Sequence, residues 1–299
     1  MVEVCCNLCG SKEWRLRFPA TMQAEPQVEA FRCTSPTYGH HAQIVECVQC
    51  GYVYANPRLG EEELLAAYAA VEDSTYVQER EGRELTFRRH LQHLEKVVGG
   101  ANGRSLLDVG AYIGVFVEVA AEAGWQVWGV EPSSWAVGEA QKRGLRVLEG
   151  TQDAPELVGR QFDVVTMWDV IEHVDDPTAE MHKAYDLLKP GGWLVVHTMD
   201  VDSLTAKLMG PRWPWLMDMH LHYFSQATLA KMMGKVGLEV VWSGTRGRYL
   251  RMGYLVTRLG GLHPLLGRLA GAVVNGLGLR ETAVPVNFGD LFTVYGRKR

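Results

Sequence analysis

The chain has 299 residues, of which 47% are hydrophobic and 22% charged, with a formal net charge of −5. That is enough apolar material for one large core plus a small module, and the acidic balance points away from a nucleic-acid partner, whose binding domains carry a basic face. No run of about 20 apolar residues suggests a membrane span and no N-terminal apolar run suggests a signal peptide, so a cytoplasmic location is expected.

Residues 1–58 differ from the rest. Cys6-Asn7-Leu8-Cys9-Gly10 and Cys47-Val48-Gln49-Cys50-Gly51 are two CxxC knuckles, each followed by glycine. Four thiolates suit a tetrahedral Zn²⁺, so Cys6, Cys9, Cys47 and Cys50 are the expected metal ligands. The role expected of the metal is structural, because a segment this small cannot build its own core. The long gap between the knuckles, around residues 20–41, reads as a loop or an extra hairpin. Cys5 and Cys33 read as spare thiols, although Cys5 could compete with Cys6 for the metal. Asn56-Pro57-Arg58 closes this zinc ribbon-like module, and residues 59–299 form the second domain. Helices are predicted over 61–70 and 79–98, and Gly99, Gly100 and Gly103 lead out of the second one.

Residues 105–133 organise the second domain. A short apolar run around Leu106, Leu107 and Val109 is bounded by turn residues, as in a buried parallel strand. Gly110 and Gly114 bracket a tight turn, a helix comes next with Val115, Phe116, Val119 and Ala120 on one face, and a second strand over 126–130 ends in Glu131. This is a βαβ unit of a doubly wound nucleotide-binding sheet. A dinucleotide fingerprint needs glycine at 110, 112 and 115. Those positions are Gly, Tyr and Val. The frame D-x-G-x-G-x-G needs 108, 110, 112 and 114, which are Asp108, Gly110, Tyr112 and Gly114.

Further strands are predicted over 145–148, 163–167, 193–197 and 238–242, with a last one over 291–297. Asp176-Pro177 reads as an N-cap followed by proline at N1, and Ser225 as the cap of a helix to Lys235. Between 243 and 290, Leu255, Leu259, Leu262, Leu265, Leu266, Leu269 and Val273 recur at helical spacing. Two readings of this insertion, about 245–285, stay open. One is a helical pair packed on the sheet. The other is a lid, a homodimer face or a membrane-surface contact through 250–280.

The frame at 108–114, FDVVTMWDVIEHV at 162–174, LLKPGG at 187–192 and HLHYFSQATL at 220–229 occur in the order found in class I S-adenosylmethionine-dependent methyltransferases. From about Tyr76 to the C-terminus the chain resembles that family. The resemblance implies an α/β fold with a doubly wound, mostly parallel seven-stranded sheet whose last strand is antiparallel. It implies S-adenosylmethionine as cofactor, held by Tyr76, Asp108, Gly110, Tyr112, Gly114, Glu131, Pro132, Asp153 and Trp168. Glu131 would accept from the ribose hydroxyls and Asp153 from the adenine amine, although Asp153 also reads as a plain N-cap.

Methyl transfer from a sulfonium is an in-line displacement, so the protein mainly positions and desolvates. A base is needed when the acceptor is a weakly acidic hydroxyl. His173, His197, His220 and His222 fall near the sheet's carboxyl edge, and His173, His220 and Asp169 are the catalytic candidates. Asp169, Glu172 and His173 also resemble the metal triad of ubiquinone-pathway O-methyltransferases, with Asp in place of the first Glu, so a catalytic Mg²⁺ is an alternative. The expected activity is methylation of a small-molecule acceptor, with O-methylation favoured, in a natural-product, sugar or polysaccharide pathway. The rivals are an RNA methyltransferase with a zinc finger and a non-catalytic scaffold of the same fold.

Overall fold

The structure is a computed structural model and describes residues 1–22, 28–34 and 39–299. The predicted gap element falls partly on 23–27 and 35–38, outside the described residues. Its described part is a single 3-10 turn at Val28–Phe31.

The first three strands are β1 (Trp14–Phe18), β2 (Ile44–Cys47) and β3 (Val53–Ala55). Helices α1 (Glu61–Ala69), α2 (Ser74–Gln78) and α3 (Arg80–Val98) lead to β4 (Ser105–Val109). Alternation then runs α4 (Val115–Glu122), β5 (Gln126–Glu131), α5 (Ser134–Gln141), β6 (Val147–Glu149), β7 (Phe162–Trp168), α6 (Pro177–Asp186), β8 (Leu188–Met199) and α7 (Leu204–Met209). The rest comprises β9 (His222–Tyr223), α8 (Gln226–Lys235), β10 (Leu238–Thr245), β11 (Arg248–Arg251), α9 (Met252–Leu262), α10 (Pro264–Gly276), β12 (Ala283–Val286) and β13 (Leu291–Lys298).

Seven strands form the main sheet in the order β10-β13-β8-β7-β4-β5-β6. β13 runs antiparallel to both neighbours, and the remaining pairs are parallel. The central strands read as near-continuous apolar runs because helices cover both faces. Leu106, Leu107, Val164, Val165, Leu194 and Val195 are all fully buried. Helix starts coincide with their caps. Ser133 accepts from the Ala136 amide, Asp176 from the Ala179 amide with Pro177 at N1, and Ser225 from the Thr228 amide.

Three details depart from the sequence reading. The third strand of the parallel run begins two residues later than predicted, at Val147. Lys189-Pro190-Gly191-Gly192 does not precede the fifth strand but forms an irregular start to it, where pairing jumps from Phe162–Leu188 to Val164–Trp193. The N-terminal strands are also not alone: β9, from far along the chain, pairs with β3 and completes a four-stranded sheet. The insertion between β10 and β13 forms the two helices α9 and α10, carried on the β11–β12 pair that sequence pattern did not reveal. No helix among the described residues is long and apolar enough to cross a membrane.

Candidate active site

The carboxyl ends of β4, β5 and β7 meet at one edge, where ligands bind in open α/β sheets. After β4 the chain turns through three left-handed residues, Gly110 (φ 68°), Tyr112 (φ 49°) and Gly114 (φ 78°). Glycine is required at 110, since a Cβ there would lie 2.6 Å from Val170 Cγ2. Tyr112 tolerates its conformation because its amide donates to Glu131 Oε2 at 2.9 Å. Its ring stands edge-on to Tyr76 with centroids 4.4 Å apart, and the Arg83 guanidinium lies 3.5 Å from the Tyr76 ring centre. Tyr76 and Tyr112 are thus brought together.

Glu131 is buried, with Oε1 accepting from the Ser133 amide at 2.9 Å. Burial raises its carboxyl to about 7, against the opposing pull of the two amides. Each oxygen keeps a lone pair for a further donor. Asp108 is buried beneath the turn, takes a 2.7 Å hydrogen bond from Thr166 Oγ1 and is raised by burial to about 8. Pro132 adjoins Glu131 and is half-buried. Trp168 packs edge-on to Phe116 with centroids 5.1 Å apart. Its indole N–H and the Tyr112 hydroxyl are buried and have no partner among the described residues. Left-handed glycines, a buried carboxylate with spare lone pairs and two orphaned polar atoms fit a polar nucleoside ligand. Asp153 stands apart: it is exposed and takes a 2.6 Å ion pair from Lys183.

Beyond β7 lies a second group. Asp169 (φ 54°) has its carboxylate 3.3 Å from Arg248 Nη2 and 3.9 Å from His197 Nε2. Enclosure opposes its ionisation, but Arg248 and then His197 outweigh that and hold the carboxyl below the ordinary carboxylate range. Glu172 is buried, and burial together with the Asp169 charge lifts it to about 8. His173 Nδ1 lies 3.0 Å from the Met219 carbonyl and 2.7 Å from the Tyr68 hydroxyl. A carbonyl only accepts, so Nδ1 carries the proton and Nε2 keeps its lone pair. His220 Nδ1 likewise donates to the Trp215 carbonyl at 2.7 Å. The two imidazoles lie with centroids 4.8 Å apart. Burial lowers both, His220 to about 3.

Of the other histidines weighed from sequence, His197 Nδ1 lies 2.9 Å from Thr293 Oγ1. His222 sits on β9, its Nε2 3.0 Å from the Val174 carbonyl and 3.1 Å from Arg58 Nη1, in a structural role. The donor atoms that converge within 4.8 Å are those of Glu172, His173 and His220, while Asp169 is committed to Arg248. Two imidazole nitrogens and one carboxyl do not suit Mg²⁺, which demands octahedral oxygen ligation. Arg248 and Tyr68 were missed from sequence. Arg248 is one of six arginines in an insertion without other motif features, and Tyr68 reads as an ordinary residue of an amphipathic helix.

Next to the start of α6, which Asn7 contacts through Asp176 and Thr178, the Sγ atoms of Cys6, Cys9, Cys47 and Cys50 lie within 4.8 Å of one another, with the Cys6–Cys50 and Cys9–Cys47 pairs at 3.5 Å. Tetrahedral Zn–S bonds of about 2.3 Å place sulfurs about 3.8 Å apart. Gly10 and Gly51 donate to the Cys6 and Cys47 carbonyls in left-handed turns, which folds each knuckle back on itself. Cys5 and Cys33 lie outside this cluster.

A parallel sheet with a glycine turn and an acid at the end of the neighbouring strand defines a nucleotide-cofactor enzyme. A methyltransferase-domain family matches residues 79–242, more than half of the chain, and the chain belongs to that S-adenosylmethionine-dependent family. It is 30% identical over 172 residues to a ubiquinone biosynthesis O-methyltransferase of Bordetella avium, spanning 52% of this chain and 70% of that one. A protein of the same name from Leptothrix cholodnii is 34% identical over 121 residues, 37% of this chain and 50% of its own. The chain thus spans between 50% and 70% of the length of these two curated relatives. Among solved structures, an S-adenosylmethionine-dependent methyltransferase from Archaeoglobus fulgidus shares the fold at a TM-score of 0.51 and 16% identity, covering 76% of this chain and all of that one. Magnesium protoporphyrin IX methyltransferase from Synechocystis does so at 0.50 and 14%, covering 80% and 94%.

Proposed function

We propose that this methyltransferase methylates a hydroxyl of a small-molecule acceptor, with His173 as the base. The observation that carries the reading is the pair His173 and His220 beyond β7, each with Nδ1 committed to a backbone carbonyl and Nε2 without a partner among the described residues. Because burial lowers the His173 pKa, its imidazole is neutral at physiological pH and ready to take a proton. Asp169, fixed by Arg248, would orient the acceptor or stabilise the charge that develops on His173. The 30% identity to a ubiquinone biosynthesis O-methyltransferase supports oxygen as the methylated atom.

S-adenosylmethionine supplies the electrophilic methyl group and leaves as a neutral thioether. Glu131 would hold its ribose hydroxyls, with Pro132 shaping the strand end below. Gly110, Tyr112 and Gly114 would shape the turn above it, and Tyr76 and Trp168 would enclose it, with Asp108 setting the turn from beneath. Asp153 would serve the adenine only by giving up Lys183. The division proposed is 1–58 and 59–299, with β9 of the second part completing the sheet of the first. Zn²⁺ on Cys6, Cys9, Cys47 and Cys50 would hold β2 and β3 in register for β9, and so support the segment that carries His220.

Steady-state kinetics on Asp169→Asn and His173→Ala test the reading with a panel of hydroxylated acceptors. Both should lower kcat well beyond any change in cofactor affinity. Wild-type rates in both variants remove this site from the reaction.

A further inference from the structure

Among the described residues, helix α10 leaves an apolar face without cover. Leu265, Leu266, Leu269, Val273 and Leu277 are between 52% and 66% exposed. At 100° per residue they fall within one arc about 120° wide. The opposite side of the helix is fixed. Gly267 packs against Gly260 of α9 so closely that a Cβ on Gly267 would lie 2.5 Å from the Gly260 Cα, and Val274 is buried on the same side. Backbone contact between the two helices therefore aims the leucine face away from the protein. Isolated exposed leucines are ordinary, but a contiguous stripe marks a contact surface.

Charge selects the partner. Residues 252–280 contain Arg258, Arg268 and Arg280 and neither aspartate nor glutamate, in a chain whose net charge is −5. Glu281, the next residue, is taken by Arg251. Arg268 is exposed beside the stripe, and Arg280 is exposed near the foot of the helical pair, where it donates to Asn275. A second copy docked symmetrically through this face would bring Arg268 against another α10 that likewise carries no acid. A polyanion such as RNA would meet aliphatic side chains at the centre of the contact. A bilayer interface with anionic headgroups satisfies both features: leucines enter the acyl boundary while arginines stay at headgroup level.

We infer that the α9–α10 hairpin docks this methyltransferase onto an anionic lipid surface by laying α10 in the interface. No span is needed for this, and none is present among the described residues. The same insertion delivers Arg248 to Asp169 through β11, so the docking surface and the acceptor site share one structural unit. Lipid docking does not depend on which acceptor atom is methylated.

Co-sedimentation of the full chain with lipid vesicles tests it. The comparison is between phosphatidylcholine alone and phosphatidylcholine with about a third phosphatidylglycerol. Binding should be at least about tenfold tighter to the anionic vesicles and should weaken as salt is added. Leu266→Glu combined with Leu269→Glu should weaken it by a further tenfold or more, with S-adenosylhomocysteine binding unchanged as the check that the fold is intact. Arg268→Glu, which leaves the leucines in place, should erase most of the preference for anionic lipid. Wild-type protein that stays in the supernatant with both vesicles overturns the inference. So does a double variant that binds like wild type. A wild-type dimer that the double variant dissociates, without vesicle binding, reassigns the face to a second copy, and equal retention by RNA reassigns it to a polyanion.

Discussion

Glu131→Gln isolates the contribution of one buried charge. In the native site both carboxylate oxygens accept backbone amides at 2.9 Å, from Tyr112 and Ser133. The glutamine side chain has one oxygen, so one of these amides faces an N–H₂ donor, and the site loses its negative charge. A hydrogen bond to a charged group contributes about 1.5–3 kcal/mol. Allowing for the oxygen that remains, S-adenosylmethionine should bind about tenfold to a hundredfold more weakly, or about 1.4–2.8 kcal/mol. The pH dependence gives an independent check. Burial raises the Glu131 carboxyl to about 7, and on the proposed reading the ribose hydroxyls would donate to its ionised form. Affinity should therefore be full above pH 7 and fall through the window below it, by about tenfold per unit at the limit. Calorimetric titrations at pH 6, 7 and 8 read both effects, since Glu131→Gln should remove that share of the pH dependence. Equal affinities and superimposable pH profiles for the two proteins would refute the role of Glu131.

Other outcomes rest on the same geometry. Asp169→Asn and His173→Ala should lower kcat by about a hundredfold, the ordinary scale of a lost general base, with little change in cofactor affinity by calorimetry. EDTA should leave the rate unchanged. The acidic limb of the kcat profile should fall below pH 6.5, because burial lowers His173 from that value and keeps it neutral there. Elemental analysis should find one zinc per chain, and Cys47→Ser should release it and raise hydrogen exchange in β2, β3 and the paired β9 more than in the main sheet. A fully protected, metal-free module would contradict this. Gly110→Ala should lower stability by about 1–3 kcal/mol, the cost of a strained left-handed residue, as read by chemical denaturation.

The parallel sheet was legible because β4, β5 and β7 are short, largely apolar runs, each with a chemically distinctive residue at or near its end. Asp108, Glu131 and Trp168 mark three of those ends directly. The helix caps Asp176 and Ser225 were readable for the same reason, since one side chain satisfies a specific amide. The cysteine knuckles were legible from spacing alone. What pattern could not show was long-range pairing. Two residues, His222 and Tyr223, are too short a strand to announce themselves, yet they join β3 across more than 160 positions. The same holds for Arg248, whose value lies in reaching Asp169, 79 residues away. Asp169 looked like a metal ligand from its spacing to Glu172 and His173, and only the fold reveals that an arginine already occupies it. Asp153 shows the converse: a position near the right strand end whose side chain turns outward to Lys183.

On the proposed reading, the turn at 110–114 and Glu131 hold S-adenosylmethionine. Calorimetric titration of the full chain with S-adenosylhomocysteine and, separately, with NAD tests it most directly. Saturable binding of the first at one per chain, with no heat from the second, is the predicted result. Saturable NAD binding, or no binding of S-adenosylhomocysteine by folded protein, would contradict it.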